Sequence, residues 1–329
     1  MASKGDKTIG DNAFTAESLY GTNWQPTYAG ALSFMRRKYT RDLTGVDVAV
    51  TGIPFDLATT NRPGARFGPA GIRRASAQLA WGPPWPWGFN PVDRLAVIDY
   101  GDCNFELGYT EKMVEAAEAH ATEIIEGGAS MLTLGGDHYI TLPLLRAHAK
   151  KYGPLSLVHF DAHSDTWRDD AYHHGTMFFH AINEGIIDPE RSIHIGIRTH
   201  NPESHGFTIL HADWVHENGT KAVIEEINRV VGEHKAYLTF DIDGLDPCFA
   251  PGTGTPVIGG LSTHQARSIM WGLGDIDFVA MDLVEVAPIY DVGDITSLAG
   301  ATLCLDYLAL RAAKLPPRKG EEEADTSPY

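Results

Sequence analysis

Three short motifs place carboxylates and imidazoles directly after apolar runs that are typical of β-strands. In an extended backbone every second side chain points the same way. The motifs DAHSD (161–165) and DID (241–243) therefore project alternate polar side chains from the end of a strand, and GGDH (135–138) ends in an imidazole. The candidate metal ligands are His138, Asp161, His163, Asp165, Asp241 and Asp243.

These six side chains suit a pair of divalent cations. Two neutral imidazoles and four carboxylates carry a combined charge of −4, which two such ions balance. With only six residues, two aspartates must bridge if each ion is to be five- or six-coordinate, and Asp161 and Asp241 lie nearest the strand ends. An oxygen-rich ligand set favours Mn²⁺ over Zn²⁺. Such a pair would hold a bridging hydroxide as a nucleophile at neutral pH. A lone Asp after a strand usually only caps a helix or forms a turn, and a lone His is usually a surface or core residue, but neither explanation accounts for six ligands in phase.

Strands and helices must alternate along the chain to position these motifs. Seven apolar runs predict strands, at 46–52, 95–100, 131–134, 155–160, 193–197, 236–240 and 278–284. Seven amphipathic patterns predict helices, at 70–79, 111–126, 142–151, 175–183, 222–231, 263–272 and 295–313. This alternation predicts an α/β fold with a mostly parallel sheet and helices on both faces. Sites of such folds lie beyond the carboxyl ends of the strands, where the three motifs occur.

Composition narrows the class of partner. The formal net charge of −17 argues against nucleic acid or an anionic membrane, and it would attract a small cation, although a role in solubility explains it equally well. The three cysteines are far apart and favour a reducing compartment without disulfides. We find no secretory signal or apolar membrane span, so the sequence predicts a cytoplasmic protein.

The chain is expected to form one domain with two loose ends. Residues 1–30 are polar and predict a flexible N-terminal arm. Residues 31–315 carry the alternating elements without an interior linker and predict a single domain. Residues 316–329 are charged and proline-capped, which predicts a disordered tail.

The motifs together resemble those of the ureohydrolase family, the relatives of arginase and agmatinase. GGDH, DAHSD, DIDGLDP (241–247) and GTGTP (252–256) occur in the order and spacing of that family, and the similarity spans about residues 30–315. Within it the chain is most similar to bacterial agmatinases, through HGTMF (174–178), VEVAP (284–288) and GARFGP (64–69). The resemblance implies a three-layer α-β-α domain with an eight-stranded parallel sheet, two Mn²⁺ ions on the six ligands with Asp161 and Asp241 bridging, and a trimer or hexamer.

The resemblance also implies roles for single residues. Glu285 is similar to the carboxylate that pairs with the substrate guanidinium, and an ordinary salt bridge is the alternative. Asp165 resembles a ligand that also steadies the hydroxide. His174 resembles the family's proton-shuttle histidine, with His173 as the alternative. Thr255 resembles a residue near the guanidinium, and turn formation explains it almost as well. The 64–69 segment is better explained as a turn with Pro69 opening a helix than as a binding element, which leaves Arg66 a weak candidate.

The substrate end of the site favours a cation. Arginases recognise the amino-acid end of arginine with an Asn shortly after DAHxD and an Asp after the next strand, and here Trp167 and Asn201 occupy these places. The loop after Asp165 offers Asp169 and Asp170 as further substrate-binding candidates against one arginine. The expected activity is hydrolysis of agmatine to putrescine and urea. A guanidino-acid hydrolase such as guanidinobutyrase is the alternative enzyme, and a catalytically silent binding subunit is disfavoured because the ligand set is intact.

Overall fold

A single parallel sheet forms the centre of the molecule. The computed structural model describes residues 11–23 and 25–318. Nine strands of this part of the chain pair in the order β1-β3-β2-β4-β9-β8-β5-β6-β7, every pair parallel. They are β1 (Lys38–Tyr39), β2 (Val48–Ile53), β3 (Val97–Asp102), β4 (Ser130–Gly135), β5 (Ser156–Phe160), β6 (Ile193–Ile197), β7 (Thr208–His211), β8 (Lys235–Asp241) and β9 (Asp277–Val284).

Helices cover both faces of this sheet. They are α1 (Asn12–Thr15), α2 (Gly68–Ser76), α3 (Pro91–Arg94), α4 (Thr110–Glu126), α5 (Thr141–Tyr152), α6 (Met177–Asn183), α7 (Ala212–Val231), α8 (Thr263–Trp271) and α9 (Ile295–Ala312). One layer contains α4, α5 and α6, which pack against one another, and the opposite layer contains α2, α3, α7, α8 and α9. This confirms the predicted three-layer α/β class.

The core is divided by the sheet because neighbouring residues of a strand face opposite layers. In β5, Val158 and Phe160 join one apolar cluster, whereas Leu157 joins the other. All five residues of β5 are buried, as expected of a parallel sheet that is covered on both faces. The carboxyl ends of the strands are therefore where a ligand could reach polar side chains.

The structure adds elements that the apolar pattern did not predict. The sheet has nine strands rather than the eight that the resemblance implied, and both β1 and β7 were missed because they are short and partly exposed. Helix α7 begins at residue 212, ten residues before its predicted start. Gly219 interrupts it with a φ of 79°, which divides the amphipathic pattern into two parts. Pro69 lies in the first turn of α2, as predicted for the segment 64–69.

The N-terminal segment makes defined contacts where the structure describes it. Asp11 caps α1 and accepts a second hydrogen bond from the backbone of Ala31 (2.7 Å). The buried guanidinium of Arg36 binds the carbonyl groups of Pro26, Ala29 and Ala31. Residues 1–10 of the expected arm and 319–329 of the expected tail lie outside the described residues. From the continuous sheet we infer one domain over 31–315. No helix among the described residues is long and apolar enough to cross a membrane.

Candidate metal centre and active site

The polar motifs meet at the middle of the sheet's carboxyl edge. Strands β4, β9, β8 and β5 lie side by side. His138 follows β4, Glu285 follows β9, and the DID and DAHSD motifs lie at the ends of β8 and β5. Five of the six predicted ligands are buried, and the side chain of His163 is 27% exposed. Three strand ends, those of β4, β8 and β5, thus carry the predicted ligand set, and β9 between β4 and β8 adds Glu285.

Two groups of side chains have the spacing of metal sites, and they share Asp161. One group is His138, His159, Asp161 and Asp165, and the other is Asp161, His163 and Asp243; within each, the ligand atoms lie within 4.8 Å of one another. Nδ1 of His163 is 3.2 Å from oxygens of both Asp161 and Asp243. A carboxylate common to two sites is what a bridging ligand requires, which fits Asp161. Asp241, the other residue predicted to bridge, belongs to neither group, although its Oδ2 lies 3.3 Å from Nδ1 of His138.

The orientation of His138 leaves its Nδ1 facing only carboxylates. Oxygens of Asp161, Asp165 and Asp241 lie 3.1, 3.0 and 3.3 Å from this nitrogen, yet none is placed to accept a hydrogen bond from it. The other ring nitrogen, Nε2, is 2.8 Å from Oγ1 of Thr239. Three buried anionic oxygens around one nitrogen require a shared positive charge, which a divalent cation would supply.

Electrostatics of the carboxylates lead to the same requirement. Burial raises the pKa of Asp241 well above its ordinary value, and the charges of Asp243 and Asp161 raise it further. Burial and the charge of Asp161 also raise the pKa of Asp243. Carboxylates that are crowded in this way stay ionised only when cations neutralise them. The residues present therefore fit a binuclear divalent metal site.

Behind Asp161 lie two histidines that the sequence analysis did not include. Nε2 of His159 is 2.7 Å from Oδ2 of Asp161, and its Nδ1 is 2.6 Å from Nδ1 of His194. Burial lowers the pKa of His194 well below its ordinary value, so this ring is neutral. His159 precedes Asp161 by two residues and hence points to the same face of β5. That spacing is the signal by which His159 could have been found.

Glu285 lies beside the ligand cluster and is fully buried. Its backbone adopts a φ of 63°, a left-handed conformation that is uncommon outside glycine, and Asp165 has a φ of 53°. Oε1 of Glu285 accepts the backbone N–H of His138 (2.9 Å) and lies 2.8 Å from Nδ1 of His174. Oε2 is buried and has no hydrogen-bond partner. One carboxylate oxygen is therefore available to a ligand.

His174 connects this carboxylate to the surface through Thr60, another residue that the sequence analysis missed. The backbone N–H of Thr60 donates to Nε2 of His174 (2.9 Å), and the Thr60 hydroxyl lies 2.7 Å from the same nitrogen. In the neutral ring, Nε2 accepts the backbone N–H of Thr60 and the ring proton is on Nδ1, which donates it to Glu285. Burial alone would lower the pKa of His174, but the hydrogen bond and charge of Glu285 outweigh it and raise the pKa to about 9.

His173 points away from this arrangement. Its Nδ1 accepts the backbone N–H of Gly175 (3.0 Å) in the turn before α6. Burial, together with the charge of His174, lowers the pKa of His173. Of the two adjacent histidines, only His174 is hydrogen-bonded to Glu285.

The 252–256 turn borders the same site. The hydroxyl of Thr255 donates to Oδ2 of Asp243 (3.1 Å), so this residue contacts a predicted metal ligand directly. A Cβ added at Gly254 would lie 3.6 Å from Oε2 of Glu285 and 2.8 Å from the carbonyl of Arg62. Glycine at position 254 keeps the space beside the free carboxylate oxygen open.

The loop between Asp165 and His174 forms the exposed border of the site. Trp167, Asp169 and Asp170 are exposed, and the carboxylate of Asp169 accepts the backbone N–H of Ala171. The basic residue of the loop, Arg168, is paired with Glu203 at 2.9 Å. Asn201 donates its amide to the hydroxyls of Ser164 and Thr166. The charge that this loop offers to a ligand is therefore acidic.

Arg66 has a structural contact instead of a ligand-binding one. Its guanidinium forms an ion pair at 2.5 Å with the buried carboxylate of Asp56. Asp56 also accepts the backbone N–H of Gly64 (2.8 Å). Arg66 thus holds the turn that leads into α2, as the turn interpretation of this segment predicted.

Comparisons with known proteins agree with this geometry. The model of the arginase family matches residues 46–309. The agmatinase of Chromobacterium violaceum is 55% identical over 309 residues, which cover 93% of this chain and 96% of that protein. The crystal structure of a hypothetical agmatinase from Burkholderia thailandensis has 57% identity and a TM-score of 0.91, covering 93% of this chain and 98% of that one. Proclavaminate amidino hydrolase from Streptomyces clavuligerus has 39% identity and a TM-score of 0.82, with coverage of 88% and 99%.

Proposed function

The chain belongs to the arginase family, and from that premise we propose that it is a ureohydrolase that converts agmatine to putrescine and urea. One observation carries the proposal: a buried carboxylate–imidazole cluster adjoins a second buried carboxylate, Glu285, with one unpartnered oxygen. The relatives named agmatinase support the substrate, since they are 55% and 57% identical over nearly the whole chain.

The six clustered side chains are proposed to hold two Mn²⁺ ions, with Asp161 and Asp241 as the bridging carboxylates. The oxygen-rich ligand set supports this metal. When bound, the pair of cations supplies Lewis acidity that makes a water molecule nucleophilic at neutral pH. Asp165 is proposed to orient that water, because its carboxylate lies in the group around His138 and its left-handed backbone turns it over the strand end.

Glu285 is proposed to bind and orient the guanidinium. A planar guanidinium donates paired hydrogen bonds to a carboxylate, and Oε2 of Glu285 is buried and free to accept them. Gly254 leaves the approach to that oxygen open. Thr255, which donates to Asp243, is proposed to line the same end of the substrate site.

His174 is proposed to protonate the leaving amine. Its proton is held at Nδ1, next to the carboxylate that would bind the guanidinium. The exposed hydroxyl of Thr60 at Nε2 links the other side of the ring to water. A histidine with one nitrogen at the substrate and the other near solvent is suited to proton transfer in both directions.

The far end of the substrate is proposed to face Asp169 and Asp170. Agmatine ends in a primary ammonium, and pairing of Arg168 with Glu203 leaves the loop's acidic charge uncompensated. A guanidino acid such as 4-guanidinobutyrate ends in a carboxylate, which this loop would repel. The similarity to proclavaminate amidino hydrolase, at 39% identity, makes a guanidino-acid hydrolase the second candidate.

A urea-release assay on a panel of guanidino compounds tests the proposal. Purified enzyme loaded with Mn²⁺ should hydrolyse agmatine with a kcat/KM at least about tenfold above arginine and 4-guanidinobutyrate, a difference of about 1.4 kcal/mol in transition-state binding. Neutralising Asp169 and Asp170 together should narrow this preference. A control with Asp213→Asn and Glu217→Gln changes charge outside the loop. If kcat/KM were higher for 4-guanidinobutyrate than for agmatine, the proposed activity would be that of a guanidino-acid hydrolase instead.

Further assignments belong to the same proposal. Three free cysteines, Cys103, Cys248 and Cys304, support a cytoplasmic location. The family resemblance supports a homo-oligomer, either a trimer or a hexamer, which light scattering on the purified protein would measure. Neither nucleic acid nor a membrane is proposed as a partner, because the chain is strongly acidic.

A further inference from the structure

Asp282 is a buried aspartate one layer beneath the ligand cluster. It lies in β9, opposite Thr239 of β8, and is fully buried. Its Oδ2 accepts hydrogen bonds from the hydroxyls of Thr141 (2.8 Å) and Tyr237 (2.9 Å), and its Oδ1 accepts one from Thr239 (2.5 Å). Burial raises the pKa of Asp282, and the charge of His138 and the three hydroxyl donors oppose this rise. The ionised carboxylate, which only accepts, satisfies all three donors.

The hydrogen bond from Thr239 connects this charge to His138. Because the Thr239 hydroxyl donates its proton to Asp282, its oxygen accepts the Nε2–H of His138 (2.8 Å). The lone pair of His138 is then on Nδ1, the nitrogen that faces three carboxylates of the proposed metal site. A carboxylate behind a metal-binding imidazole fixes its tautomer and raises its basicity.

The absence of a cationic partner separates Asp282 from two other fully buried aspartates, Asp306 and Asp99. Asp306 also accepts three side-chain donors, but one of them is the guanidinium of Arg267 (2.7 Å). Asp99 is paired with Arg73 (2.8 Å). Over residues 11–23 and 25–318 no ion pair to Asp282 is found. An uncompensated buried charge is costly. Hydrogen bonds connect Asp282 through Thr239 to His138, so a cation bound at the proposed metal site is the nearest positive charge along this chain of contacts.

We propose that Asp282 is a positioning residue that sets the affinity of the cation held by His138, acting through Thr239. The inference rests on the proposed binuclear site and deepens it. A cation at Nδ1 supplies the compensating charge that Asp282 lacks in its own surroundings. The negative charge therefore favours the metal-loaded state and opposes the metal-free one.

The test compares Asp282→Asn with Asp306→Asn in metal-free protein titrated with Mn²⁺ by calorimetry. Asparagine keeps an acceptor oxygen for Thr239 and removes the charge; its NH2 group replaces Oδ2, so the hydroxyls of Thr141 and Tyr237 must turn to accept from it. Asp282→Asn should weaken one of the two binding events by about 10–100-fold, and the melting temperature of the metal-free protein should stay the same or rise. Asp306→Asn leaves the guanidinium of Arg267 without its anionic partner. It should therefore lower the melting temperature of the metal-free protein and leave both Mn²⁺ binding events unchanged.

Variants of Thr239 and Tyr237 test whether the charge of Asp282 acts on His138 through the Thr239 hydroxyl. Thr239→Val should weaken Mn²⁺ binding about as much as Asp282→Asn, and Thr239→Ser should restore it. Tyr237→Phe removes a donor at the far oxygen and should change affinity by less than about threefold.

Two results would overturn the proposal: Mn²⁺ affinity in Asp282→Asn within threefold of the unaltered protein, or a loss of metal-free stability like that of Asp306→Asn without a change in affinity. Failure of the unaltered protein to bind a divalent cation would overturn this proposal together with the binuclear site. Tight Mn²⁺ binding without urea release from agmatine would refute the proposed substrate alone and leave the role of Asp282 supported by the titration.

Discussion

Replacement of Glu285 by glutamine isolates the charge that is proposed to bind the guanidinium. Glutamine has almost the same shape, its amide oxygen can still accept the N–H of His138, and it adds no β-branch to a residue with a φ of 63°. The substitution therefore removes one negative charge and leaves the backbone turn as it is. Metal content should be unaffected, because Glu285 is not one of the six proposed ligands and its Oε1 is engaged by the backbone N–H of His138 and by His174.

The size of the effect follows from the burial of Glu285, whose exposed fraction is 0%. Two unit charges about 4 Å apart interact with about 4 kcal/mol at an effective dielectric constant near 20. Since about 1.4 kcal/mol corresponds to a tenfold change, loss of this pair should lower kcat/KM for agmatine by about 10³. Because the glutamine side chain can still form hydrogen bonds, a loss of about 10³-fold in kcat/KM is the largest effect expected.

Steady-state urea release and metal analysis of the same preparation measure the two expectations together. Glu184→Gln, which removes an exposed glutamate paired with Arg146 at 2.6 Å, is the matched control and should retain full kcat/KM. The reasoning is refuted if Glu285→Gln keeps kcat/KM within tenfold of the unaltered enzyme. A parallel loss of bound metal would instead place Glu285 in the metal site.

Three further predictions concern metal, proton transfer and acid stability. Asp161→Asn or Asp241→Asn should abolish urea release and lower bound Mn²⁺ below two per chain by elemental analysis, because each is proposed to serve both ions; normal metal content with normal turnover would contradict bridging. His174→Asn should lower kcat by about 10²–10⁴ without metal loss, and the same loss in His173→Asn alone would move the shuttle by one residue. Burial lowers the pKa of His148 to about 4, so the unfolded chain takes up this proton near pH 6.5 and the folded protein only near pH 4. The free energy of unfolding should therefore fall by up to about 3 kcal/mol between pH 6.5 and 4. Denaturation curves of His148→Gln should lack this part of the fall, and the same pH dependence in both proteins would refute the prediction.

Much of the site was predictable because it depends on local spacing. Alternate residues after a strand share a face, so the phasing of DAHSD and DID predicted a convergence that the structure contains at four adjacent strand ends. The helices that the pattern predicted are all present, with boundary changes of a few residues except in α7, where Gly219 breaks the periodicity.

The supporting residues were not predictable in the same way, because they come from separate parts of the chain. Asp282 is 144 residues after His138, and only the pairing of β9 with β8 places it beneath Thr239. Thr60 reaches His174 from a loop 114 residues earlier. No single stretch of sequence contains both partners of either contact, and a carboxylate inside an apolar strand looks the same whether it pairs with arginine or faces a metal ligand.

The proposed substrate site has a buried end, at the left-handed turn of Glu285, and an exposed end, at the loop after Asp165. The guanidinium end would be recognised by residues at the ends of four central strands, where backbone and side chains are both enclosed. The other end would be recognised by the exposed side chains of residues 167–170, which lie between Asp165 and His174 and outside the apolar core. Variant libraries that seek longer or differently charged guanidino substrates should therefore be confined to residues 167–170, where substitutions leave Asp165, His174 and the rest of the proposed catalytic half in place.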